Sequence, residues 1–223
     1  MPITRRFWHR QPAIDAALVQ RFADFIGPDK LVVDIGAGYA PWPHAIEFVD
    51  YKAWPQLAGR TVRVVDIENE PLPYADKSVD FAYCRHTIED LDHPSLLLRE
   101  INRIAKAGYI ETPSPIAEFC RGIDGGYPGR GYCHHRWFVW VAGSELRLLP
   151  KFPDVEHIAT APGADVRLIE TLNFSPAHWN TYFAWIGEFS FRVLKQHRDF
   201  PFPQYHEHID EGIKSASETL ATS

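Results

Sequence analysis

The feature that most restricts what this chain can fold into is a short apolar run, Leu31-Val32-Val33-Asp34-Ile35, that ends on an acid and turns through Gly36-Ala37-Gly38. β-Branched residues bounded by glycine read as a strand entering a turn that tolerates close backbone approach. Two further runs, 46–50 and 62–66, also finish on acids, Asp50 and Asp66. Helical spacing occupies the stretches between strands. Ile14, Leu18, Phe22, Phe25 and Ile26 recur as on one helix face until Gly27-Pro28 stops it. After the turn at 71–78, residues 79–84 form a fourth strand. A helix from about Pro94 carries Leu96, Leu97, Ile101 and Ile104, and a fifth strand starts at Tyr109. Strands alternating with helices imply a parallel sheet built by right-handed crossovers.

Beyond residue 112 the rhythm changes. Prolines and glycines crowd 113–131 before Cys133-His134-His135-Arg136-Trp137, the pattern of a long insertion, and such insertions often serve as lids or binding loops. Residues 144–149 read as helical, 166–172 as strand-like and 188–194 as a last strand, and the tail from Ser215 is expected to fray. One domain over 1–223 is expected, with a core at 31–112, an insertion or lid at 113–140, and helices and strands at 141–223 completing the sheet and an acceptor site.

Composition narrows the partners. A formal net charge of −6 without clustered Lys and Arg argues against nucleic acid, since phosphate binding needs concentrated positive charge. The three cysteines, Cys84, Cys120 and Cys133, lack C-x-x-C spacing, so neither a disulfide framework nor a structural metal site is signalled. With no apolar amino-terminal segment and no run of about 18 apolar residues, the expectation is a cytoplasmic protein without a membrane partner.

The glycine turn at a strand's carboxyl end lets a ligand touch backbone, while an acid at the next strand's tip can accept hydrogen bonds from two ribose hydroxyls. That geometry suits a nucleoside. The turn lacks the third glycine of dinucleotide folds, and Pro41 and Pro43 follow closely, which disfavours a diphosphate. The segment 33–38 resembles motif I of class I methyltransferases. Pro71-Leu72-Pro73-Tyr74, Ser78-Val79-Asp80-Phe81, His86-Thr87-Ile88-Glu89-Asp90-Leu91 and residues 98–103 resemble the rest of that family's core, in order, across 31–112.

The resemblance implies an α/β, Rossmann-like fold with a mostly parallel seven-stranded sheet, helices on both faces and the insertion after the fifth strand. It implies S-adenosylmethionine as cofactor. By the family's pattern Asp34, Gly36, Ala37 and Gly38 line the methionine portion, Asp50 holds the ribose, Asp66 and Ile67 meet the adenine, and Arg85 and His86 close the pocket. An alternative register makes Asp66 the ribose acid. This sequence departs from the pattern in Ala37, where a cysteine or small polar residue is frequent, in Tyr39 in place of a small residue, in Asp90 where histidine is usual, and in a short segment between Gly38 and Asp50. The plain alternative, that the three aspartates only cap strands and turns, explains one acid better than three beside a glycine turn.

The acceptor side is less legible. A hydroxyl acceptor needs a base, and histidine titrates nearest neutrality, so His86, His134 and His135 are the catalytic candidates. His134 and His135 also read as a packing pair, and alternation in a strand would turn one away from the other. Arg130 and Arg136 could grip an anionic group, and Trp137 could line the pocket. The expected acceptor is a small molecule or glycan precursor methylated on oxygen before nitrogen, with pairing as a homodimer left open. A non-catalytic nucleoside-binding protein of the same fold is the alternative.

Overall fold

A computed structural model describes residues 9–125, 127–158, 162–194 and 202–218. Packing groups them into two compact units, one of residues 11–111 and 182–190, the other of the described residues of 1–10, 112–181 and 191–223.

The first unit carries the sheet announced by the apolar runs. Strands β1 (Val32–Ile35), β2 (Glu47–Asp50), β3 (Thr61–Val64), β4 (Val79–Arg85), β5 (Ala105–Pro113) and β8 (Asn180–Ile186) lie in the order β3-β2-β1-β4-β5-β8. From β3 through β5 each strand pairs with its neighbour in parallel. Among the described residues six strands stand in this sheet where seven were expected, and three others form a sheet of their own. The order reverses direction between β1 and β4. In open α/β sheets such a switch opens a crevice at the strands' carboxyl ends, and here those ends carry Gly36, Asp50 and His86.

Both faces are buried, as parallel strands require. One face, with Val32, Phe48, Phe81, Tyr83 and Tyr109, packs against Leu18 of helix α1 (Pro12–Arg21) and against Phe22. Phe22 meets Phe81 edge-on at 5.1 Å. The expected helix to residue 27 stops at Arg21, because Phe25 bonds back to Phe22 across three residues and tightens the chain into turns. On the other face Val33, Ile35, Ala82 and Cys84 are equally buried. Helix α2 (Pro94–Ile104) buries Leu97, Leu98, Ile101 and Ile104, an i, i+3, i+4 stripe. Its Arg103 bonds Glu100, Asp76 and the carbonyls of Leu72 and Tyr74, fixing the 71–78 turn. β5 begins directly after α2, four residues before the expected strand.

The second unit holds α3 (Pro115–Phe119), β6 (Trp137–Ala142), β7 (Glu145–Pro150), α4 (Ala164–Phe174), α5 (Pro176–Trp179), β9 (Ser190–Val193) and α6 (Phe202–Glu218). Its sheet runs β6-β7-β9. Three local expectations fail here. Residues 145–150 form a strand where 144–149 read as helical, because Gly143 at φ +62° opens a two-residue hairpin loop between Ala142 and Glu145, and glycine at the first loop position favours this connection. Residues 166–172 form a helix, since Leu168, Ile169 and Leu172 share a 3.6-residue face that outweighs two β-branched side chains. Ser215 does not begin a frayed tail: its hydroxyl donates to the Val141 carbonyl, and Ala216 is buried. The rest of that tail, 219–223, lies outside the described residues.

Candidate active site

β1 delivers the chain to Gly36, whose N–H donates to the Val49 carbonyl on β2. Gly36 sits at φ +74°, and a Cβ there would lie 2.2 Å from Thr87 Oγ1. Only glycine fits between left-handed backbone and that neighbour. Gly38, at φ +53°, donates its N–H to Asp50 Oδ2 at 2.8 Å. Asp50 is 3% exposed at the tip of β2. A buried carboxylate thus stands directly on the glycine turn. Asp34 works beneath the turn, accepting the Trp42 N–H at 2.7 Å. Trp42 stacks on Tyr83 at 4.4 Å and donates to Asp15 on α1. Ala37 packs into the α1-side core, so only its backbone is offered to a ligand.

Asp66 departs from the expectation that β3 ends on it. β3 stops at Val64, and Asp66 is exposed in a turn, where it accepts Glu68 N–H at 3.2 Å and Asn69 Nδ2 at 2.9 Å. Those bonds, the Asn69 side chain first, hold its carboxyl below the usual range. Ile67 turns its side chain inward.

At the end of β4 a charged network closes around His86. Its backbone lies at φ +50°, a conformation uncommon outside glycine and a sign of local constraint. The ring places Nδ1 3.2 Å from Glu89 Oε1 and Nε2 3.7 Å from Glu111 Oε1. Arg85 Nε donates to Glu111 at 3.0 Å, and the Tyr109 hydroxyl donates to its other oxygen. Burial alone lowers the His86 pKa, but hydrogen bonding to Glu111 and Glu89 outweighs it, and the net shift is upward. Burial likewise opposes Glu111 ionisation, yet His86 and Arg85 hold its pKa below the ordinary carboxylate value. Glu89 is fully buried, and among the described residues its Oε2 has no hydrogen-bond partner, while His86 Nε2 has only the long approach to Glu111 Oε1.

The remaining candidates lie in the second unit. The expected insertion or lid carries bonds of its own: α3 is capped by Ser114, and Arg121 pairs with Arg130 in an isolated β-bridge. His135 is buried with Nδ1 2.6 Å from Glu118 Oε1, and Lys151 Nζ reaches Glu118 Oε2 at 2.7 Å. Burial raises the Glu118 pKa, but His135 and Lys151 together bring it down to about 2. His134 is exposed. Residues 133–134 lie in a turn and 135–136 are outside any strand, so the two rings are 4.4 Å apart and not on opposite faces. Arg130, expected to hold substrate, is 2% exposed. Its Nη atoms bond the Phe119 and Ile158 carbonyls and Asp165, so it serves the fold. Arg136 is exposed, and Trp137 is half-buried at the start of β6.

Sequence reasoning missed Glu89, Glu111 and Tyr109, although Glu89 and Glu111 flank recognised strand ends. It also missed an aromatic group beside Asp50: exposed Tyr39 and Tyr51 both meet Trp54 edge-on, with Lys52 Nζ 3.7 Å over that indole.

The family model of the methyltransferase domain matches residues 34–110, the stretch containing the glycine turn, Asp50, Asp66 and His86. This stretch, about a third of the chain, is similar to a methyltransferase domain and has the α/β architecture described above. Solved methyltransferase structures are similar at low identity. One is an S-adenosylmethionine-dependent methyltransferase from Mesorhizobium loti, 20% identical, covering 52% of this chain and 64% of that one, with TM-score 0.35. Another is from Aquifex aeolicus, 19% identical, covering 54% and 80%, TM-score 0.36. A geranyl diphosphate C-methyltransferase from Streptomyces coelicolor, solved with S-adenosyl-L-homocysteine, is 18% identical over 46% of this chain and 47% of that one, TM-score 0.34. The match thus spans less than two thirds of two of these three proteins. No curated protein matches. The methyltransferase domain's cofactor fits the residues present: the left-handed turn exposes backbone at Gly38, and the buried Asp50 carboxylate keeps an acceptor for ribose hydroxyls.

Proposed function

We propose that this chain transfers the methyl group of S-adenosylmethionine to an oxygen, in preference to a nitrogen, of a small molecule or glycan precursor. The observation that carries the reading is the Asp50 carboxylate, buried at the tip of β2 and bonded to Gly38 in the glycine turn. Asp34, Gly36, Ala37 and Gly38 hold the methionine end, Asp50 the ribose, and Asp66 with Ile67 the adenine edge. The cofactor supplies an electrophilic methyl on a sulfonium; positioning of the acceptor can contribute up to about 7–11 kcal/mol.

His86 is the base we assign. In its neutral form the ring takes the acceptor's hydroxyl proton, and Glu89 and Glu111 stabilise the imidazolium that results. Arg85 keeps Glu111 ionised for that task. Among the described residues no helix is long and apolar enough to cross a membrane, and the absence of clustered basic residues supports a small acceptor over nucleic acid. A cytoplasmic location and pairing as a homodimer belong to the same proposal.

Calorimetric titration with S-adenosylmethionine and S-adenosylhomocysteine tests the reading. Binding of both is expected. A folded protein that shows neither heat nor thermal shift at millimolar ligand overturns it.

A further inference from the structure

A second set of chemically apt side chains lies outside the methyltransferase domain. Asp124, Cys133 and His134 each offer one ligand atom, and these atoms lie within 4.8 Å of one another. We propose that they form a binding site for a zinc-class divalent cation, with a fourth position open to solvent.

The donor set selects the cation. One thiolate, one imidazole and one carboxylate suit a borderline-soft ion, whereas magnesium and calcium prefer oxygen alone. Zinc bonds of about 2.0–2.3 Å in tetrahedral geometry put ligand atoms about 3.5 Å apart, so the observed spread closes by side-chain rotation without moving backbone. The loop is braced for this. Cys133 N–H donates to Asp124 Oδ2 at 3.2 Å, and Tyr127 N–H donates to the Asp124 carbonyl at 2.9 Å. The Arg121–Arg130 bridge and the Gly131 bond to Cys120 close the base of the loop. The His134 ring packs edge-on against His135, which Glu118 anchors in the interior. Cys133 and His134 are exposed and Asp124 is half-buried, so an ion reaches them directly. On binding, the S–H bond of Cys133 is replaced by a sulfur–metal bond and the proton passes to solvent.

Spacing alone hid this group, because Asp124 stands nine residues before the Cys133-His134 pair and only the loop brings them together. The inference does not depend on methyl transfer.

The test uses tag-free full-length protein stripped with a chelator and titrated with Co²⁺ and Zn²⁺. A thiolate-to-cobalt charge-transfer band at one equivalent is expected. Because Cys84 and Cys120 are buried, Cys133 is its source, and Cys133→Ser loses the band. His134→Ala and Asp124→Asn weaken zinc binding in calorimetry. Absence of the band, or zinc affinity unchanged in both Cys133→Ser and His134→Ala, overturns the proposal. Both substitutions fall on exposed positions, and circular dichroism checks that each variant is folded.

Discussion

Each unit sets a histidine against buried glutamate, and the two groupings differ in completeness. Around Glu118 both carboxylate oxygens are engaged, one by His135 and the other by Lys151, and Lys151 bonds the Tyr132 carbonyl as well. Around His86 the bonding is less complete: among the described residues Glu89 Oε2 has no hydrogen-bond partner, and His86 Nε2 has only the 3.7 Å approach of Glu111. Burying a polar atom without a partner costs about 1–3 kcal/mol. A fold retains such a cost most readily where a ligand removes it. On the proposed function the first grouping serves structure and the second serves proton transfer.

The largest effect that could break this contrast is on stability. Glu118→Ala leaves Lys151 and His135 buried without their counter-ion, and loss of one member of such a group costs about 3–5 kcal/mol. Chemical denaturation should show that loss. A variant as stable as the parent would remove the structural role. The same carboxyl gives a pH signature. Its pKa falls from 4.5 to about 2 on folding, so its stabilisation is present above pH 4.5 and disappears as pH drops from there toward 2. Glu118→Gln should flatten the acid limb of the stability curve over that window.

Next in size is turnover at the incomplete grouping. His86→Asn suits the left-handed backbone, which asparagine tolerates, and should lower methyl transfer about 10²–10⁴-fold if His86 is the base. Cofactor affinity should change little. Because the His86 pKa is raised, activity should rise with pH through a midpoint above 6.5, as the ring becomes neutral. Glu89→Gln removes one carboxylate that raises it and should move that midpoint downward. A profile unmoved by Glu89→Gln would separate Glu89 from the proton transfer.

Asp50→Ala follows. It removes a charge-assisted pair of ribose bonds and should weaken S-adenosylmethionine binding by about 1.5–3 kcal/mol, or about 10- to 150-fold in Kd. Calorimetry measures it directly. Unchanged affinity would detach the carboxylate on Gly38 from the cofactor.

The same division of the molecule governs what the sequence disclosed. In the first unit, strand ends, glycine turn and helix stripe are local patterns, so Asp34, Gly36, Gly38, Asp50 and α2 could be read in place. Glu111 could not, because its meaning arises from parallel pairing of β4 with β5, which sets it beside Arg85. In the second unit the informative contacts join residues distant in sequence: Glu118 with Lys151, Arg130 with Asp165, Ser215 with Val141. Periodicity cannot announce them. The hairpin at Gly143 was the exception, since Ala142-Gly143-Ser144-Glu145 carries its own turn chemistry and was passed over for an apparent helix.

The smallest expected effect belongs to Asp66, and it discriminates between registers. Its carboxylate already accepts two bonds from its own turn, and it is exposed, where a hydrogen bond to ligand competes with water. Asp66→Ala should therefore reduce cofactor affinity by less than about tenfold, or 1.4 kcal/mol. Part of that loss would be indirect. The turn at 66–70 presents Glu68, whose Oε1 accepts the N–H groups of Asp92 and His93 ahead of α2, so loosening it disturbs the entry to that helix. Asp66→Asn keeps acceptor capacity for the turn and separates the two contributions: affinity restored by asparagine identifies turn geometry, whereas equal loss in both variants identifies the charge. If Asp66→Ala abolishes binding while Asp50→Ala binds like the parent, Asp66 is the ribose acid, and the buried carboxylate on Gly38 serves only to hold the turn.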